Sequence, residues 1–361
     1  MYWVTNYLGT CKCDIIRRGF ATDHFFSFVE TNSLMQKKHV SILALRNANY
    51  ASAVDARAVF EKANEFYKLR HKREFFSIQI IAEETELSVE RGLLTIKPDA
   101  TVTDDIASDL IIIPALRGDL LSSNHLNRYF VDWIIKRYKQ NCEVASLCTG
   151  AFLLAFTGLL KGKKCTTHWS YANEFRFYFP DVTLVDEKMV VEHNGLYSSG
   201  GSNAYWNLLL FLVEKYMDRE IAIRVAKHFV VDLDKTSQTP FIVFSGLRNH
   251  GDEEILNAQD FIESNYKSKV TVGDLAEQLH LTRRTFERRF KKATHCTVLE
   301  YLQKVRIEAS KKALEAGRKP IDEIMTDAGY VDGQAFRDLF KNITGLTPLQ
   351  YRERYSRLWA G

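Results

Sequence analysis

The sequence predicts a doubly wound α/β fold with a mostly parallel sheet, followed by an all-α region built from two helix-turn-helix units. Three observations lead there. Short unbroken apolar runs such as Leu110–Ile113 alternate with helical patterns up to about residue 228, as parallel strands covered on both faces do. From Asp252 to Tyr355 only helical patterning is found. Between the two, residues 229–251 are polar and carry Pro240, Gly246 and Gly251, the punctuation of a linker. A chain of 361 residues also exceeds one ordinary core, so two domains are expected.

Residues 1–37 show no sustained periodicity. They are expected to be an N-terminal extension, either a loose, disordered tail or an upstream addition to the reading frame, because Met35 stands just before the first strand as a natural start would. Strand candidates follow at 39–45, 76–82, 109–114 and 143–147, then shorter ones near 165–167, 182–185, 188–193 and 195–199. Helix candidates occupy 53–71, 123–140, 150–160 and 202–217. The expected domains are therefore 38–228 (α/β) and 252–357 (helical), joined by 229–251.

A hydrophobic content of 46% with 26% charged residues is that of a soluble globular protein. No apolar run approaches the ~20 residues of a membrane span, and the start lacks a secretion-signal layout. A cytoplasmic location without membrane contact is expected. Cys11 and Cys13 form a C-x-C pair with no second cluster, so neither a zinc site nor a disulfide framework is indicated, and no metal or cofactor is expected.

The helical region carries the sharpest charge signal. Arg283 to Lys292 reads RRTFERRFKK, six basic residues in ten, the electrostatic footprint of nucleic-acid binding. Thr271 is placed to cap one helix and Thr282 the next across the short turn His280-Leu281. Phe286 and Phe290 would face inward, leaving Arg283, Arg284, Thr285, Arg288 and Arg289 for DNA. The pattern returns after Pro320. Gly329-Tyr-Val makes a turn, Asp332 caps a helix, Phe336 and Phe340 face inward, and Gly333, Gln334, Arg337 and Lys341 join Asp332 as contact candidates. Between the units, a capping box at Thr297–Glu300 starts a helix that ends near Gly317. About twenty helical residues span ~30 Å, close to one duplex turn, so two reading heads would meet successive major grooves.

Residues 255–355 resemble the AraC-type DNA-binding domain. The stretch PIDEIMTDAGYVDGQAFRDLFKNITGLTPLQYR at 320–352 carries that family's pattern through Gly329, Phe336, Phe340, Lys341, Gly345, Thr347, Pro348, Tyr351 and Arg352. Gly333 departs from it, since a polar side chain is usual there.

In the first region, the apolar strand ending at Leu147 runs into Cys148-Thr149-Gly150 and then a helix. That is the plan of a nucleophile elbow, in which the helix N-terminus would favour a thiolate. His168 and Trp169 follow at another strand end. These segments resemble the PfpI/ThiJ-like branch of the class I glutamine amidotransferase fold, a flavodoxin-like sheet, over about 39–228. Its fusion to an AraC-type tail, with Gln238-Thr-Pro-Phe241 in the linker, is similar to the GlxA subfamily of bacterial regulators. The acidic partner of the cysteine in enzymatic relatives is replaced here, by counting, with Ser52.

The resemblance implies a transcription regulator whose α/β domain senses a small-molecule effector in a pocket of Ser52, Cys148, Thr149, His168 and Trp169, floored by Gly200–Asn203. It also implies a homodimer, double-stranded promoter DNA and RNA polymerase as partners. The alternative is an amidase, deglycase or hydratase-like enzyme using Cys148 and His168, with a regulatory tail.

Overall fold

The computed structural model describes residues 37–89, 92–233, 235–248 and 250–356. The expected extension and its Cys11–Cys13 pair lie outside these residues. The first region reads β1 (Lys38–Leu43), α1 (Tyr50–His71), β2 (Phe76–Ala82), β3 (Leu87–Val89), β4 (Leu94–Ile96), β5 (Ala100–Thr101), β6 (Leu110–Ile113), α2 (Leu120–Leu126), α3 (Arg128–Lys139) and β7 (Glu143–Ser146). It continues through α4 (Ala151–Phe156), β8 (Lys164–Cys165), α5 (Ala172–Tyr178), β9 (Thr183–Leu184), β10 (Val190–His193), β11 (Leu196–Ser199), α6 (Ala204–Tyr216) and α7 (Arg219–Phe229).

The main sheet runs in the order β10-β11-β7-β6-β1-β2-β5, and only the β10–β11 pair is antiparallel. Strand alternation sorts side chains to two cores. Leu110 and Ile112 of β6 join Val40 and Ile42 against α1, α6 and α7. Ile111 and Ile113 face the other way, with Phe152 and Leu153 of α4 and Phe130 of α3. Both faces are covered, which is why the central strands read as unbroken apolar runs.

Three features differ from the sequence reading. The helix expected at 123–140 is two, α2 and α3, broken at Asn127, whose side chain holds the Arg46 backbone (Oδ1 from Arg46 N at 2.8 Å, Nδ2 to Arg46 O at 2.9 Å). Helix α7 was not foreseen; it starts at the Asp218 cap directly after α6 and buries Ile221, Ala222 and Val225. The short strands β3, β4 and β5 and the short helix α5 were also missed.

The second region is all-helical: α8 (Glu253–Asn265), α9 (Val272–Gln278), α10 (Arg283–Thr294), α11 (Val298–Ala316), α12 (Ile321–Asp327), α13 (Gly333–Thr344) and α14 (Pro348–Tyr355). It holds two small cores. One gathers Ile255, Leu275, Phe286, Phe290 and Tyr301; the other gathers Leu314, Ile324, Phe336, Phe340 and Tyr351. Helix α11 serves both, with Tyr301 and Leu302 in the first and Ile307 and Leu314 in the second. Its 19 residues are about 28 Å long at ~1.5 Å each. A helix packed into both cores fixes the two units relative to each other.

The connecting segment is docked at Gln238, Ile242 and Phe244. Gln238 is buried, its Oε1 accepting from Gly201 N (2.8 Å) and its Nε2 donating to Thr167 O (2.9 Å). The Gln238 amide packs directly on Gly200, where a Cβ would come within 2.7 Å of it. Further on, buried Lys311 of α11 donates to Ile242 O (2.7 Å) and pairs with Glu308, which accepts from Phe244 N (3.1 Å). Among the described residues, no helix is long and apolar enough to cross a membrane.

Candidate nucleic-acid interface and neighbouring cavity

Helices α9 and α10 form the first helix-turn-helix. Thr271 Oγ1 accepts from Asp274 N, and Thr282 Oγ1 accepts from Thr285 N, so each helix begins at a side-chain cap. His280 makes the turn in the left-handed region at φ 53°. Phe286 and Phe290 are fully buried, which places their neighbours on α10 outward. Arg283, Arg284 and Arg288 are exposed, and Thr285 is half-buried at the helix start. Arg283 leans back to Glu287 (3.1 Å), an exposed pair that a phosphate can displace.

Arg289 does not belong with them. Its guanidinium donates to both Asp252 oxygens (3.0 and 2.6 Å) and to Glu254 (2.8 Å). Those hydrogen bonds raise the Arg289 pKa further and hold the Asp252 carboxyl below the usual range. Asp252 also caps α8. Arg289 is thus a strut between α8 and α10, a role that helix periodicity could not reveal because its partners lie outside the helix.

The second unit repeats the first with an offset of 50 residues. Phe286, Phe290, Thr294, Thr297 and Tyr301 correspond to Phe336, Phe340, Thr344, Thr347 and Tyr351. Thr294 and Thr344 each donate to the carbonyl four residues back and to the one two residues ahead. Thr297 and Thr347 each open a capping box. Gly329 is obligatory in the turn: its φ is 82°, and a Cβ would lie 2.8 Å from Lys267 O.

Asp332 spends its carboxylate on capping α13, accepting from Gln334 N (2.8 Å) and Ala335 N (3.1 Å), and as an anion it repels phosphate. It therefore leaves the set of contact candidates. Gln334, Arg337 and Lys341 are exposed, and Gly333 is half-buried beside the Arg337 guanidinium. Gln334 Nε2 donates to Asp338 (2.9 Å).

In the α/β part, Cys148 follows β7 at φ 54°, outside the conformations a side chain prefers. The strained elbow geometry is present. The thiol, however, is 5% exposed, and burial pushes it up to about 11, against the thiolate expected from the helix N-terminus. Ser52 and Thr149 are buried and internally bonded. Ser52 Oγ donates to Asn49 O (2.7 Å) and accepts from Ala115 N (3.0 Å); Thr149 Oγ1 donates to Leu116 O (2.7 Å). A carboxylate the sequence reading passed over stands one turn beyond Ser52: Asp55 accepts from Tyr205 OH (2.6 Å), and burial, then that bond, raises the Tyr205 hydroxyl.

His168 and Trp169 separate from this group. They line a cavity of about 560 Å³ with Gly201, Ser202 and Asn203. Ser52, Cys148 and Thr149 do not line it. His168 Nδ1 faces Ser170 (Oγ at 2.8 Å), and burial lowers the imidazole pKa. The cavity's remaining walls come from α6, the connector and the last helix, including Trp206, Phe229, Lys235, Phe241 and Arg354. None of these was singled out as a ligand contact in the sequence, because they converge only in three dimensions.

Two family models match the chain: a helix-turn-helix domain over residues 275–354, and the DJ-1/PfpI family over residues 51–215. The HTH-type transcriptional regulator GbdR of Pseudomonas aeruginosa is 25% identical over 264 residues, covering 72% of this chain and 70% of its own. The chain is a DNA-binding transcription regulator with a helix-turn-helix domain of the AraC type. This regulator carries a DJ-1/PfpI-type domain ahead of its DNA-binding domain. The HTH-type transcriptional regulator ArgR of the same organism is 24% identical, over 60% of this chain and 66% of its own. Isonitrile hydratase of Pseudomonas putida is 29% identical over 151 residues, covering 41% of this chain and 61% of its own; that match concerns the α/β part.

Proposed function

We propose that the regulator reads two successive major grooves of promoter DNA, with α10 and α13 as recognition helices and α11 as the spacer. Arg283, Arg284, Thr285 and Arg288 contact one groove and its phosphates; Gly333, Gln334, Arg337 and Lys341 serve the other. The observation that carries this reading is the sharing of α11 between two cores, each of which presents a capped helix with an exposed basic face. Charge is unequal between the heads. The first supplies three exposed arginines, of which Arg283 is paired with Glu287, while the second offers Gln334 with Arg337 and Lys341. The first head therefore supplies most of the salt-dependent affinity.

In the same reading, the α/β part, bounded near 38–228, senses a small-molecule effector and acts on the tail through the connector at 229–251. The effector site is the cavity at His168 and Trp169. The chain works as a homodimer and contacts RNA polymerase at the promoter. A buried thiol that burial pushes up to about 11 supports sensing over catalysis.

The test is a mobility shift with the chain's own upstream DNA, comparing Arg284→Ala and Arg337→Ala. Each lowers affinity if both heads engage. An Arg337→Ala protein that binds like the wild type would leave one reading head and overturn the two-groove reading.

A further inference from the structure

The cavity at His168 is walled by three parts of the molecule: the α/β part, the connector residue Phe241, and Arg354 of α14. Its charges do not balance. Lys235 lies 3.7 Å from the Asp232 carboxylate, so these two largely cancel. Burial holds His168 toward its neutral form. Arg354 lies over the rings of Phe241 (4.9 Å) and Tyr355 (5.5 Å) and has no carboxylate partner among the described residues. The rest of the wall combines the aromatic Trp169, Trp206 and Phe229 with the polar Ser202, Asn203 and Asn207. A site of this kind, an aromatic patch with neutral polar groups and one uncompensated guanidinium, matches an anion with a compact apolar body, and the planar fork of arginine suits a carboxylate in particular.

We infer that the cavity binds a small organic carboxylate, whose carboxylate group closes on Arg354 and whose body packs among Trp169, Trp206 and Phe229. This inference rests on the effector reading above and adds the ligand class and the route of the signal. Arg354 sits on the final helix of the second reading unit, next to Tyr351 of its core. A bound carboxylate thus ties that unit to the α/β part. The tie adds to contacts already there, since Tyr355 OH donates to Pro240 O (3.2 Å) and Gln238 anchors the connector. Because it stabilises one placement of the second head, the ligand shifts DNA binding by its differential affinity for that placement.

The experiment uses the full chain and two matched pairs of probes, benzoate with benzamide and butanoate with butanamide, read by thermal shift and tryptophan fluorescence. Benzoate or butanoate raises the melting midpoint and perturbs the fluorescence, while the neutral amides do so at least tenfold more weakly in concentration. Arg354→Gln melts like the wild type without ligand, because the side chain is exposed, but loses at least tenfold in carboxylate affinity; Arg354→Lys retains part of it. Amides as effective as carboxylates, an Arg354→Gln response equal to wild type, or no response to either carboxylate overturns the inference. Its failure is separable from that of the effector reading. A ligand that binds both proteins equally and still alters DNA affinity leaves the effector reading standing. A carboxylate that binds through Arg354 without changing DNA affinity does the reverse.

Discussion

The four arginines of α10 look alike in sequence, yet the structure divides them, and that division has a measurable consequence. Take Arg284→Ala with Arg288→Ala as one variant and Arg289→Ala as another. Each phosphate contact contributes about 0.9 to the slope of log affinity against log salt. Loss of two contacts therefore lowers that slope by about 1.8. Between 50 and 200 mM salt, each contact costs about 3.5-fold in affinity, so the double variant is about twelvefold less salt-sensitive than the wild type over that range. Arg289→Ala should leave the slope unchanged. It removes three charge-assisted hydrogen bonds to Asp252 and Glu254, a partly exposed pair worth about 1 kcal/mol. In a helical domain of roughly 100 residues, that lowers the melting midpoint by about 4–8 °C. Fluorescence anisotropy across a salt series, paired with thermal melts, reads both effects. An Arg289→Ala protein whose slope falls by about 0.9 while its stability is unchanged would refute the assignment of Arg289 as a strut.

Three further outcomes follow from the same geometry. Asp252 has a depressed carboxyl pKa, so its stabilising effect is present above its ordinary range and lost as pH falls through the folded-state value; thermal melts should show the helical part weakening below about pH 4, with a shallower acid slope in Arg289→Ala. Cys148, with a thiol pushed up to about 11 and a 5% exposed side chain, should react with iodoacetamide at pH 8 at least about a hundredfold more slowly than a free thiol, and alkylation at the free-thiol rate would show that the elbow is open. Gln238→Ala removes the hydrogen bonds that fasten the connector; loss of this buried amide costs about 2–3 kcal/mol, and limited proteolysis should then cut near residue 238, whereas wild-type protection would show that the connector is held elsewhere.

Much of this was legible in the chain itself, for reasons that differ by element. The central strands announced themselves because a parallel strand buried on both faces must be apolar at every position, as in Leu110–Ile113. Both recognition helices were legible because caps and periodic phenylalanines are local signals. Helix α7 was missed because it follows α6 after only Met217 and the Asp218 cap, with no glycine or proline to separate the two patterns. The split at Asn127 depends on a partner, Arg46, that is remote in sequence. In the site, spacing gave His168 and Trp169 but joined them wrongly to Ser52, Cys148 and Thr149. Burial separates the two groups, and burial is a property of the whole fold. The Arg289 strut and the Arg354 wall escaped notice for the same reason, since a side chain's partner across a core leaves no trace in local pattern.

The central claim is that one rigid helix sets two reading heads a duplex repeat apart, and hydroxyl-radical footprinting together with guanine methylation interference on the upstream DNA tests it most directly. Two protected segments on one face of the duplex, about 10 base pairs centre to centre, each weakened by substitutions in its own helix only, is the expected result. A single segment that responds to Arg284→Ala and ignores both Gln334→Ala and Arg337→Ala would contradict it.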